Sequence, residues 1–305
     1  MMPAYREKNN LIHQLHPVTS LVFVGAVFTL ALVFSHPLYL LGLFVAEGAV
    51  IGAAGIFKEW KSYLKFSIFM IVLLILINAL FSRTGATLLF SGPEVPLLGK
   101  FKITLEALAY GAGMGLKLLV IISIFCFYTY GVHPDKVLKL FGRWGSKSVL
   151  AITLTTRLFP LMTQDFKRIK EVQRCRGVHL ETGKWYEKVQ NFIPIFSVLL
   201  VSGLERALKL AESMHVRGYG SGSRSCYRND FWRPRDFLIL LTLMLSLVLG
   251  LWAAFRGWAS YDYYPRLTGF QINEIEIPGI ISIGILVPAL LSWGWMKWPL
   301  LKSKI

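Results

Sequence analysis

The chain has 305 residues, 54% of them hydrophobic and only 16% charged, with a mean hydropathy of +0.54. Its charges are lopsided, 33 Lys and Arg against 17 Asp and Glu, a formal net of +16. The apolar content excludes disorder, and a nucleic-acid binder would carry its basic excess on a soluble surface; an apolar body with a positive excess is a bilayer protein whose charge lies on one side.

Six apolar runs approach or reach the roughly 20 residues that cross a bilayer: 18–34, 38–57, 62–81, 107–130, 237–255 and 277–295. Three carry a charge, Glu47 in the second, Lys65 in the third and Lys117 in the fourth. Intramembrane charges face protein or water, which makes Glu47 and Lys117 candidates for a pair. The first run is no cleaved signal peptide, because its core is long and Ser35-His36-Pro37 is not a small-x-small cleavage site. Cys126, Cys175 and Cys226 lack C-x-x-C spacing and define neither a disulfide framework nor a zinc site. Cys126, inside an apolar run, reads as a buried small side chain.

Charge sets the orientation. The segment 131–236 holds 19 Lys and Arg and 9 Asp and Glu, so it carries +10 of the net charge. The connection around Lys58, Lys61 and Lys65 and the C-terminal Lys297, Lys302 and Lys304 are basic as well, while 82–104 and 256–276 are poor in Lys and Arg. Six spans with both termini in the cytoplasm place every basic segment inside.

The 106 residues of 131–236 are too long for a connector. In 157–176 the residues Leu158, Met162, Phe166, Ile169 and Val172 form one helical stripe, and in 200–217 Leu200, Leu204, Ala207 or Leu208, Ala211 and Met214 form another. A Pro stands near each expected start, Pro160 and Pro194. The 13-residue run 192–204 is too short to span and reads as a buried or interfacial helix. Both helices end in Arg-Gly, at Arg176-Gly177 and Arg217-Gly218, with the arginines 41 residues apart. Each pair is first of all a helix C-terminus, with Gly in the left-handed position and Arg complementing the dipole. The duplicated pair also presents two planar cations at the ends of rigid helices, suited to docking on carboxylates of a partner.

These residues carry a family resemblance. Cys175-Arg176-Gly177 and Val216-Arg217-Gly218 resemble the paired Ala-Arg-Gly tripeptides at the coupling-helix tips of the transmembrane T component of energy-coupling factor (ECF) transporters, the EcfT/CbiQ family of prokaryotic vitamin and metal importers. Thr156-Arg157-Leu158-Phe159-Pro160 is similar to that family's run into the first coupling helix. Glu205-Arg206-Ala207-Leu208, Ala211-Glu212-Ser213-Met214 and Arg217-Gly218-Tyr219-Gly220 are similar to its second. Asn78-Ala79-Leu80-Phe81, Gly85, Thr104-Leu105-Glu106-Ala107-Leu108 and Tyr110-Gly111 resemble its third-to-fourth span region, and Leu15-His16-Pro17-Val18-Thr19 its entry into span one, with His16 where Asp is usual. The resemblance covers about residues 11 to 255. It departs where Cys175 and Val216 replace Ala, and the tail from Arg256 to Ile305 extends beyond the usual pattern.

The resemblance implies an all-α integral membrane protein: helices 1–4 in residues 1–130, a coupling-helix region in 131–236, and C-terminal spans in 237–305. It implies a non-catalytic scaffold in the prokaryotic cell membrane. Two ABC-type ATPase subunits would dock at the tips, supported by Arg157, Arg174, Arg206 and Glu212, and a small substrate-binding membrane subunit would lie on the coupling helices. The alternative is that the stripes bury against each other as a self-contained hairpin.

The chain itself offers no cofactor site. Gly142-Arg143-Trp144-Gly145-Ser146-Lys147-Ser148 lacks the Gly-Lys and the spacing of a P-loop, so ATP would belong to the partners. The six His show no metal-ligand spacing, no G-x-S-x-G occurs, and Arg157, Asp165, Glu205 and Glu212 have the spacing of solvated faces or ion pairs. Trp232 and Trp258, beside Arg233 and Arg256, read as interfacial anchors. The alternatives are a polytopic membrane enzyme, which would cluster acids or His at span ends, and a secondary transporter, which would show inverted repeats.

Overall fold

The computed structural model describes residues 10–81, 87–95, 99–141, 146–178, 185–222, 232–265 and 276–297. The chain is an all-α membrane protein with one added β-hairpin. Its helices are α1 (Pro17–Val33), α2 (Pro37–Ala53), α3 (Phe57–Phe81), α4 (Leu105–Gly131), α5 (Pro134–Phe141), α6 (Ser146–Cys175), α7 (Trp185–Val216), α8 (Pro234–Phe255) and α9 (Glu276–Lys297). Four of them, α3, α4, α8 and α9, are long and apolar enough to cross a membrane, whereas α1 and α2 are apolar but have 17 residues each, the short end of the spanning range. The described residues fall into two compact units, one within 138–230 and the other from the segments on either side.

In the membrane unit, α1, α2, α4, α8 and α9 share one core that includes Leu30, Phe34, Tyr39, Leu43, Ile124, Leu243 and Ile285. Small residues permit the close approaches. Gly111 and Gly115 on α4 face Ile75 and Ile71 of α3, and a Cβ at Gly111 would lie 2.9 Å from the Ile75 Cα. Gly42 of α2 meets Ser282 of α9, and Gly284 of α9 meets Ser246 of α8. The C-terminal extension is thus built into the bundle, with Ile281, Ile285 and Ala289 of α9 buried.

Polar caps set the helix ends. His16 and His36, each followed by Pro, accept from the amides of Val18 and Leu38 through Nδ1 at 3.3 Å, so His16 performs the capping that Asp would perform. Thr104 Oγ1 accepts from the Ala107 amide at 3.3 Å to start α4. The segment 82–104 is more than a loop: β1 (Leu88–Val95) pairs antiparallel with β2 (Gly99–Thr104). Thr87 donates its amide and hydroxyl to Glu106 Oε1 at 3.0 and 2.8 Å, fixing the base of the hairpin to α4.

Glu47 and Lys117 do not pair. Lys117 donates to the Leu32 carbonyl at 2.6 Å, and both buried Glu47 oxygens lack a hydrogen-bond partner. Trp232 stacks on His16 with ring centroids 4.2 Å apart, and Trp258 meets Trp252 edge-on at 5.1 Å, with Arg256 over the Trp252 ring. Near the turn between α1 and α2, the Ala259 carbonyl accepts the amides of Ser35 and His36, and the Tyr263 hydroxyl donates to the Ser35 carbonyl at 3.2 Å. Burial, followed by the neighbouring Tyr261 and Tyr110, pushes the Tyr263 phenol above its ordinary value.

Candidate functional site

The unit within 138–230 is built on two long helices, α6 of 30 residues and α7 of 32. Both are longer than the sequence pattern indicated. Pro160 and Pro194 lie inside them rather than at their starts, and the 192–204 run is a stretch of α7. Thr153, Thr155 and Thr156, ahead of Pro160, return their hydroxyls to carbonyls three or four residues back. The hydroxyls are thus satisfied inside the helix, an arrangement that adds no stability of its own and tends to bend a helix. Of the P-loop-like stretch, 142–145 lie outside the described residues and Ser146 opens α6; Cys226 also lies outside them.

The two helix ends are the same structure twice. At the end of α6, the Gly177 amide donates to the Arg174 carbonyl at 3.0 Å and the Val178 amide to Gln173 at 3.1 Å. At the end of α7, Gly218 donates to His215 and Tyr219 to Met214, both at 2.9 Å. This is the bond pair of a Schellman cap. It needs a left-handed residue, and Gly177 and Gly218 supply φ of +80° and +76°. Arg176 and Arg217 therefore occupy equivalent C-cap positions, where a cation meets the negative end of the dipole. Both side chains are exposed and make no ion pair among the described residues.

The other expected residues divide. Cys175 and Val216 are the last helical residues at the two tips and both are exposed, so nothing crowds the places where Ala is usual. Arg174 and Glu212 are exposed in the last turns. Arg157 is also exposed but stands 19 positions before Arg176 (157 to 176), about 28 Å along the helix at 1.5 Å per residue, so the fold does not bring it to the tip. Arg206 is engaged elsewhere, donating from Nη2 to Asp165 Oδ2 of α6 at 2.7 Å. Of the two roles that its spacing allows, solvated face or ion pair, Asp165 thus takes the second.

Around that ion pair the helices approach closely. A Cβ at Gly203 would lie 3.3 Å from Met162 Cε, and Phe166 stacks on Phe192 with centroids 6.4 Å apart. Leu158, Met162, Leu200, Gly203, Leu204 and Arg206 line a shallow apolar cavity of about 270 Å³. Other apolar side chains of the two helices are bare: Phe159, Phe196, Leu204 and Leu208 are all more than half exposed. The arrangement holds no metal-type cluster among the described residues. It can offer two cations on fixed backbones and a broad apolar face.

The family described as CbiQ, cobalt transport protein, matches residues 8–227. The chain belongs to the CbiQ family. Among its relatives, the energy-coupling factor transporter transmembrane protein EcfT of Listeria innocua is 28% identical over 81% of this chain and 96% of that protein. The protein of the same name from Streptococcus thermophilus is 31% identical over 70% of this chain and 87% of its own length. That from Bacillus subtilis is 26% identical over 80% and 94%. The CbiQ match ends ahead of α8 and α9, which this chain nevertheless packs into its membrane core.

Proposed function

We propose that this chain is the transmembrane coupling subunit of an ECF-type importer of the prokaryotic cell membrane, taking up a vitamin or a metal ion as cargo. Two ABC-type ATPase subunits dock at Arg176 and Arg217, and a small substrate-binding membrane subunit lies on the apolar face of α6 and α7. The observation that carries the reading is the duplicated Arg-Gly cap: two exposed guanidinium groups on like backbones, a chemistry suited to carboxylates of a partner. An apolar face this bare in water would be an aggregation hazard; in a membrane complex it is a docking surface.

The chain acts as a lever and not as a catalyst. ATP is bound and hydrolysed by the partner subunits, whose closure draws the tips together. The helices α6 and α7 carry that displacement to the substrate-binding subunit and reorient it. Both termini and the 131–236 region lie in the cytoplasm, a placement that the Lys and Arg distribution supports.

The test is charge reversal at both tips, Arg176→Glu with Arg217→Glu. The variant is expected to insert in the membrane and to lose the ATPases on affinity purification from native membranes. Undiminished ATPase recovery with the double variant would sink the docking role.

A further inference from the structure

The ion pair between the two long helices joins residues 41 positions apart, the same separation as the two tip arginines. Asp165 therefore stands eleven positions ahead of Arg176 (165 to 176) and Arg206 eleven ahead of Arg217 (206 to 217). The close approach of Met162 to Gly203 repeats that separation, so two independent contacts join equivalent levels of α6 and α7. Each helix continues about 16 Å from the ion pair to its tip at 1.5 Å per residue. Phe166 also stacks on Phe192, a contact that spans 26 positions (166 to 192) and joins a different level of α7. Gly203, lacking a side chain, allows the helices to lie close without interlocking there, while the charged pair fixes their register.

We infer that Asp165 and Arg206 are positioning residues that form the pivot of the lever, holding its two arms at equal length so that both tips move by the same amount for a given rotation. The inference rests on the coupling role proposed above. An Arg–carboxylate pair suits a pivot because a directional, charge-assisted bond sets register, whereas the apolar contacts around it tolerate rotation.

The experiment uses the complex as purified from native membranes, with spin labels on ketone-bearing unnatural residues at the exposed positions Val172 and Ser213, which leaves the native cysteines in place. Tip-to-tip distances are measured without nucleotide and with ATP and vanadate. In Asp165→Asn the ATPases still copurify, but the distance distribution broadens and the nucleotide-closed population falls roughly two- to fivefold, the span of a partly exposed ion pair. The exchanged pair, Asp165→Arg with Arg206→Asp, restores the wild-type distances, which loss of general helix stability would not. Wild-type distances in Asp165→Asn with the ATPases bound overturn the pivot and leave the docking reading standing. Retention of ATPases by the tip double reversal would instead remove the docking reading itself. Should Asp165→Asn fail to assemble, the exchanged pair decides: assembly with the wild-type shift supports the pivot, and its failure overturns it.

Discussion

The Asp236 carboxylate of α8 accepts the backbone amide of His16 at 3.2 Å, across 220 residues of chain, and its other oxygen accepts the Arg233 amide at 3.2 Å. One buried side chain thereby joins the entry to α1 with the entry to α8, segments that the sequence separates by the whole of α6 and α7. Asp236→Ala leaves two amides without their acceptor and is expected to destabilise the protein by about 1.5–3 kcal/mol, the range for bonds to a charged group. Thermal unfolding in detergent measures it, and Asp236→Asn, which keeps one acceptor oxygen, should lose less.

Gly111 of α4 faces the backbone of α3 at Ile75. Gly111→Val would drive a branched side chain into the Ile75 backbone, a cost of about 1–3 kcal/mol for overpacking. Gly25 of α1 has nothing within 4 Å of an added Cβ. Gly25→Ala is expected to be neutral or to stabilise by up to about 1 kcal/mol through helix propensity. Comparing the two unfolding midpoints separates packing from propensity.

At the tips, Gly177→Ala and Gly218→Ala each place a Cβ on a left-handed backbone, at a cost of about 1–2 kcal/mol. The tip opens and the adjoining arginine loses its fixed direction. ATPase recovery on affinity purification is expected to fall although Arg176 and Arg217 remain in place, and Gly→Asn, which tolerates that conformation better, should retain more of it.

Arg235 is 5% exposed, and Nε, Nη1 and Nη2 all lack a partner; Glu47 is fully buried with neither oxygen bonded. Unsatisfied buried groups cost about 1–3 kcal/mol each and more when charged, and apolar replacements of similar volume are often stabilising. Arg235→Met and Glu47→Leu are therefore expected to raise the unfolding midpoint of the purified chain. A fall in either midpoint would contradict this.

The apolar runs and the tip motifs were legible in the sequence because both depend on local composition: a bilayer requires long apolar stretches, and a left-handed cap requires Gly. The full extents of α6 and α7 were not legible. Pro160 and Pro194 mimic helix starts, and the hydroxyl-rich turns before Pro160 show no stripe, since their bonds are internal to the helix. The hairpin of β1 and β2 was missed because its pairing is irregular, with register shifts on either side of Phe90 and Ser91. The pairing of Asp165 with Arg206 was the least visible, because a charge on an amphipathic face looks the same whether it meets water or a second helix. Its only trace was a separation of 41 residues shared with the two arginines.

The short α1 and α2 set a problem of hydration. A 17-residue helix reaches about 25 Å at 1.5 Å per residue, the short end of the spanning range, so bare peptide groups at the turn between the two would be costly if drawn toward the hydrocarbon. The chain supplies partners for them itself: the Lys117 ammonium serves the Leu32 carbonyl, the Ala259 carbonyl receives the Ser35 and His36 amides, and the Tyr263 hydroxyl serves the Ser35 carbonyl. Residues 256–265, beyond the part of the chain that matches the CbiQ family, thus stand in for solvent at the turn between two short helices.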